Sequence, residues 1–287
     1  MRISCFLVAA ALGVAGNSAV LAETLWINGR TSIFSVDSAT PGTVLSGPTT
    51  LTGLVGSDAI HAIDFHPTTG VLYGYASASG RLYTIDTTTG AASAVGVSTS
   101  VANLFVGMTF NTTGSELRVV HYGGTNFRID PATGTTLATD TSTNEDGLIG
   151  VALDPASSTT FALEEGTGFL HRIGSVGGSP NSASTGLTEL VGPSAIFSTR
   201  GYNFDISAVT GIAYADDMGG GGGGSSNLFT VNLLTGAGTH AGALASPLSL
   251  ASYGIAVQPV VPEPTSIAIV FTAASMLGRK RQRLAAG

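Results

Sequence analysis

The chain has 287 residues, of which 40 are Gly, 43% are apolar and only 10% are charged. An average domain carries about 25% charge, so this is a Gly-rich chain with enough apolar mass for a core, which excludes wholesale disorder. The formal charge of −7 excludes a phosphate-neutralising face and hence a nucleic-acid partner, and the single Cys excludes a disulfide scaffold and a Cys-based zinc site.

Met1-Arg2 opens the chain with a positive charge, and an apolar run follows from Ile3 to Ala15. Val20-Leu21-Ala22 then places short side chains at both selective positions before Glu23. This order predicts a secretory signal peptide over residues 1–22, and therefore an exported protein. Cys5 lies inside it, leaving the mature chain without Cys.

From residue 24 to residue 260 two kinds of segment recur. One ends in an acid or amide and a turn: Ile33-Phe34-Ser35-Val36-Asp37, Leu82-Tyr83-Thr84-Ile85-Asp86, Asn126-Phe127-Arg128-Ile129-Asp130, the degenerate Leu170-His171-Arg172-Ile173-Gly174, and Leu228-Phe229-Thr230-Val231-Asn232. Three of these run on into Thr-Gly, at Thr89-Gly90, Thr133-Gly134 and Thr235-Gly236. A side-chain oxygen and a Gly at that spacing suit a hairpin turn. The other kind is a short apolar strand, often ending in Pro: Ala62–Pro67, Gly107–Asn111, Gly150–Pro155, Asn203–Ser207 and Gly254–Pro259. A third strand such as Val71–Tyr75 and a fourth such as Ala91–Val97 complete each unit. Four short β-branched and aromatic segments in every ~45 residues are the mark of a β-propeller blade. No stretch of this region has a sustained helical period, so the fold class is all-β.

The N-terminal copy, residues 24–45, lacks the Pro-ended strand, and the C-terminal copy, residues 254–259, has only that strand. Joined, they make one whole unit, which closes the ring and removes its open edges. The count predicts about five four-stranded blades over a domain spanning residues 23–260. Six blades is the main alternative, because the copy from Gly174 to Tyr202 is long; a β-sandwich or an open array of hairpins is the other.

Within the domain, Asp64 and Asp205 occupy equivalent positions in different copies, and Asp64 and His66 share a strand face. These three are the channel candidates, a carboxylate pair being what a glycan hydrolase or lyase would need. Two acidic groups are candidate Ca²⁺ ligands: Asp140 with Glu145 and Asp146, and Asp216 with Asp217. Neither has EF-hand spacing, and solvated loop acids are the competing reading. Gly219–Gly224 lacks the Lys and helix of a phosphate-binding loop and reads as a hairpin tip. No nucleophile elbow, zincin or Walker motif occurs.

The C-terminus reads Pro262-Glu263-Pro264, an apolar run over residues 265–278, and the basic stop Arg279, Lys280, Arg281 and Arg283. As a helix the run would cover about 21 Å, short of a ~30 Å hydrocarbon core. Between Glu23 and Pro264 the chain keeps six Arg, no Lys and 18 acids, a formal charge of −12.

The order of Pro-Glu-Pro, apolar run and basic tail over residues 261–287 resembles the PEP-CTERM sorting signal of Gram-negative envelope proteins. That resemblance implies transient inner-membrane anchoring through residues 265–278, recognition by an exosortase, delivery to the cell surface or beyond, and a setting of exopolysaccharide production. Asp64-Phe65-His66-Pro67, Gly70, Leu72-Tyr73, Leu82-Tyr83, Ile85-Asp86 and Thr89-Gly90 resemble a secreted repeat domain, domain of unknown function 4394, which implies no activity. The expected function is thus a non-enzymatic surface or matrix protein that binds a glycan or an envelope protein, without a cofactor unless Ca²⁺. The alternative is a glycan-acting hydrolase or lyase on the same scaffold.

Overall fold

The computed structural model describes residues 21–99, 105–174, 188–196, 202–218, 226–245, 247 and 252–261. The expected signal peptide up to Val20, the Pro262-Glu263-Pro264 motif, the apolar run, the basic stop and Gly219–Gly224 lie outside the described residues.

Among the described residues, twenty strands form five four-stranded antiparallel sheets arranged as a five-bladed propeller. Blade 2 is β4 (Ala62–Phe65), β5 (Leu72–Ala76), β6 (Arg81–Ile85) and β7 (Ala92–Val95). Blade 3 is β8 (Val106–Phe110), β9 (Leu117–His121), β10 (Asn126–Ile129) and β11 (Thr136–Asp140). Blade 4 is β12 (Leu148–Asp154), β13 (Thr159–Glu164), β14 (Phe169–Ile173) and β15 (Thr188–Pro193). Blade 5 is β16 (Asn203–Ile206), β17 (Ala213–Asp216), β18 (Asn227–Val231) and β19 (Gly238–Ala243). Blade 1 joins the two ends of the domain: β20 (Gly254–Val257) pairs with β1 (Thr24–Asn28), followed by β2 (Ser32–Asp37) and β3 (Thr40–Thr50). The long copy after Gly174 is a lengthened connection between β14 and β15 of one sheet, so the ring has five blades and not six.

The expected closure is present residue by residue. Leu25 stands opposite Val257, Trp26 opposite Ala256 and Ile27 opposite Ile255. The Trp26 indole N–H adds a 3.0 Å bond to the Gln258 side-chain oxygen.

The two innermost strands of each blade are buried on both faces, which is why they read as apolar runs and not as clean alternation, while the outer strands are largely exposed. In blade 1, Trp26 and Ile33 pack with Ile63, Phe65 and Tyr83 of blade 2. The alternate residues Leu25, Ile27, Phe34 and Val36 pack with Tyr214 and Leu228 of blade 5. Where inner strands converge on the axis, small residues are required. A Cβ on Gly107 would stand 2.5 Å from the Ile149 carbonyl oxygen, and one on Gly254 2.8 Å from Ile63 Cγ1.

Candidate functional site

The five inner strands β4, β8, β12, β16 and β20 line the axis. Each is the free edge of its sheet, so its outward backbone N–H groups need partners that no strand supplies. At one level of the channel five such donors belong to Phe65, Phe110, Leu153, Ile206 and Val257. The preceding residues, in the same order, are Asp64, Thr109, Ala152, Asp205 and Ala256.

Two aspartates and one threonine satisfy all five donors. Asp64 Oδ1 accepts the Phe65 N–H at 2.7 Å and its Oδ2 accepts the Phe110 N–H of the next blade at 2.8 Å. Thr109 Oγ1 accepts the Leu153 N–H of blade 4 at 3.0 Å. Asp205 Oδ1 accepts the Ile206 N–H at 2.7 Å and Oδ2 the Val257 N–H of blade 1 at 2.6 Å. The two Ala positions contribute no acceptor. Each Asp compensates by holding the donor that the preceding Ala leaves open as well as the donor one blade ahead.

Burial carries an electrostatic cost. Removal from water raises the Asp64 carboxyl to about 7, against the opposing pull of the Phe110 and Phe65 N–H groups. Asp205 is pushed well above the ordinary carboxylate range, by burial first and by the charge of Asp64 second. The pair lies at the base of a cavity of about 60 Å³ whose rim includes Pro67, Thr112, Pro155, Ala208 and Pro259, one from each blade. Farther along the axis the channel narrows to about 10 Å³ between Ala62, Gly107, Gly150, Asn203 and Gly254.

Asp64 and His66 follow one another on the expected face but serve different partners. His66 Nδ1 accepts the Thr68 and Thr69 N–H groups at 3.3 Å and closes the β4–β5 turn, while its ring packs 5.1 Å from Phe110. Burial lowers its pKa.

Three of the five Ca²⁺ candidates, Asp140, Asp216 and Asp217, hold protein donors. Asp140 takes a two-pronged bond from Arg128, at 2.9 and 3.1 Å, and the same guanidinium reaches Glu116. Asp216 is fully buried and accepts from Asn203, from Ser252 at 2.7 Å and from the Met218 N–H at 2.8 Å; burial lifts its pKa to about 6. Asp217 accepts both the backbone N–H and the side-chain amide of Asn227 at 2.8 Å. Among the described residues no three His, Cys, Asp or Glu side chains gather into a metal-sized group, Glu145 and Asp146 included.

Sequence reasoning placed Asp64 and Asp205 at equivalent positions but missed Thr109, the third member of the belt. Its signal was available, since Thr109 fills the same place in its copy. A larger cavity of about 570 Å³ opens at the seam between blades 5 and 1, lined by Ala39, Ile212, Tyr214, Val231 and Leu233 among others. In blade 1 Pro41 separates Thr40 from Gly42, and the β2–β3 hairpin closes tightly between Asp37 and Thr40.

No curated protein matches the chain at a significant level. Among solved structures, one described as the crystal structure of a nidogen/laminin complex is similar with a TM-score of 0.55 at 8% identity, over 83% of this chain and 99% of that one. That likeness is one of fold alone. Hydrazine synthase of Kuenenia stuttgartiensis matches with a TM-score of 0.43 at 14% identity, over 70% of this chain and 53% of that one, too slight to bear on the fold. The domain of unknown function DUF4394 matches residues 32–254, from the second strand of blade 1 round to the first residue of its closing strand, and the chain belongs to that family.

Proposed function

We propose that this chain is an exported surface or matrix protein whose propeller binds a partner and catalyses nothing. One observation carries the reading: all four oxygens of the channel carboxylates already hold backbone N–H groups. They are committed to joining inner strands across blade boundaries. A glycosidase pair needs one carboxyl free to donate to a leaving oxygen and another free to attack or to activate water. The mouth is also small, about 60 Å³ against the roughly 300–1,000 Å³ of an ordinary ligand site. Export through residues 1–22, sorting by an exosortase through Pro262-Glu263-Pro264, anchoring through residues 265–278 and release at the surface belong to the same proposal. They rest on the order of motifs at the two ends.

The test is Asp64→Ala. It strips the acceptor from two buried donors and should destabilise the domain by about 2–4 kcal/mol in urea unfolding. Parent and variant should both leave a panel of polysaccharides uncleaved. Turnover by the parent that vanishes in the variant at a temperature where both are folded would restore the hydrolase or lyase reading.

A further inference from the structure

At the end of the propeller opposite the proline rim, the residue two places after the second-strand partner of Gly254, Ala62, Gly107, Gly150 or Asn203 occupies an equivalent place in each blade. In blades 1 to 5 these residues are Arg30, Ser77, Tyr122, Glu165 and Met218. In blade 1 the position is filled by a cation on an aromatic ring, with the Arg30 guanidinium carbon 4.1 Å from the Tyr253 ring centroid. In blade 3 the same position holds an aromatic ring. Tyr122 stands beside Phe105, the residue before β8, with ring centroids 6.2 Å apart and planes inclined at 54°. A backbone bond from the Tyr122 N–H to the Phe105 carbonyl at 3.1 Å fixes the two together.

Phe105 and Tyr122 are 40% and 41% exposed, and among the described residues they are the only strongly exposed aromatics. That the two adjoin is what a binding surface would require. Two acidic residues, Glu164 and Glu165, adjoin Tyr122. Gly147 bonds to the Tyr122 carbonyl at 2.6 Å, and its own carbonyl receives the Glu165 N–H at 2.8 Å. A point one Cβ away from Gly147 lies 3.7 Å from Tyr122 Cε2, 3.7 Å from Glu164 Cγ and 3.6 Å from the Glu165 nitrogen. Glu164 is taken up by His171 at 3.1 Å and Thr167 at 2.8 Å.

We propose that the Phe105–Tyr122 wedge, with Glu165 beside it, receives an arginine side chain presented by a partner protein. The proposal rests on the binding role argued above and names the surface and the partner chemistry. Aromatic faces attract a guanidinium, which sheds water more readily than an ammonium and stacks flat. Between Glu23 and Pro264 the chain carries −12 with no Lys, so long-range attraction favours the same ligand. Glu165 is partly desolvated, which raises its pKa, and a cation beside it would relieve that cost.

The experiment titrates the full chain with N-acetyl-arginine amide and, separately, with maltose as a neutral sugar, following the tyrosine ring signals by NMR. The expected result is a saturable shift of the Tyr122 ring with the arginine amide and none with maltose. Tyr122→Leu should weaken binding at least tenfold, Tyr122→Phe should keep it because the ring remains, and Glu165→Gln should weaken it several-fold. Ser77→Ala, the equivalent change in blade 2, should have no effect. Equal affinity in parent and Tyr122→Leu overturns the proposal, as does a Tyr122 shift with maltose alone or with neither probe. None of those outcomes restores catalysis, which only Asp64-dependent turnover would do.

Discussion

At the residue scale, the channel belt makes a pH argument with a definite sign. Asp64 has a folded pKa of about 7 against an ordinary value of 3.8. Between those values the folded chain holds a proton that the unfolded chain has released. Its stabilising contribution is therefore complete below about pH 4, declines as pH rises, and is gone above about pH 7. His61 and His121 act in the opposite sense, since burial lowers both to about 4 and stability is gained as pH rises through their window. The informative quantity is thus the difference between parent and Asp64→Asn in urea unfolding midpoint. The advantage of the parent should shrink from pH 4 to pH 7 and then level off. A difference independent of pH would mean that Asp64 titrates like an exposed carboxylate. The carboxylates themselves were legible in the sequence because a repeat aligns them. Their use was not. That two Asp serve four of the five donors and Thr109 the fifth follows from which blades carry Ala152 and Ala256, and it shows only when five strand edges meet on one axis.

At the element scale, the Asp-x-x-Thr-Gly segments do what their chemistry requires. Asp86 Oδ1 accepts the Thr88 and Thr89 N–H groups at 2.8 and 3.1 Å, and Gly90 takes a φ of +74°. This much the sequence pattern contained, and the strands on either side lie within a residue or two of where the pattern put them. A second role of the same Gly was hidden. A Cβ on Gly134 would stand 2.2 Å from the Val95 carbonyl oxygen of blade 2, and one on Gly90 2.5 Å from the Thr50 carbonyl oxygen of blade 1. The turn is also the contact by which one blade leans on the blade before it, and no local pattern encodes a neighbour some 40 residues away. The two roles separate by substitution. Gly211 has a φ of +70° with nothing within 4 Å of its Cβ position, so Gly211→Ala should cost only the left-handed backbone penalty of about 1–2 kcal/mol. Gly134→Ala adds a collision with backbone and should cost clearly more by chemical denaturation. Equal losses would reduce the Thr-Gly turn to a local device.

At the scale of the whole molecule, the ring depends on β20, four residues from the far end of the domain. Blades 2 to 5 are each continuous in sequence, whereas blade 1 is completed only when Gly254–Val257 returns to β1. The closing strand supplies Ile255 and Val257 to the core between blades 5 and 1, and its Val257 N–H engages Asp205 Oδ2. A chain stopped at residue 252 would lose these groups together. It would bare the edge of β1, uncover Leu25 and Ile27, and leave one oxygen of a buried carboxylate without its donor. Because each blade rests on two neighbours, the loss should not stay local. The truncated chain should unfold at a much lower denaturant concentration with a broadened transition, and a peptide of residues 253–261 added in trans should restore the sharp one. If the truncated chain keeps the parent midpoint, each blade stands without the circle. The complementarity of the two ends, which the sequence alone displays, would then be a matter of packing and not of closure.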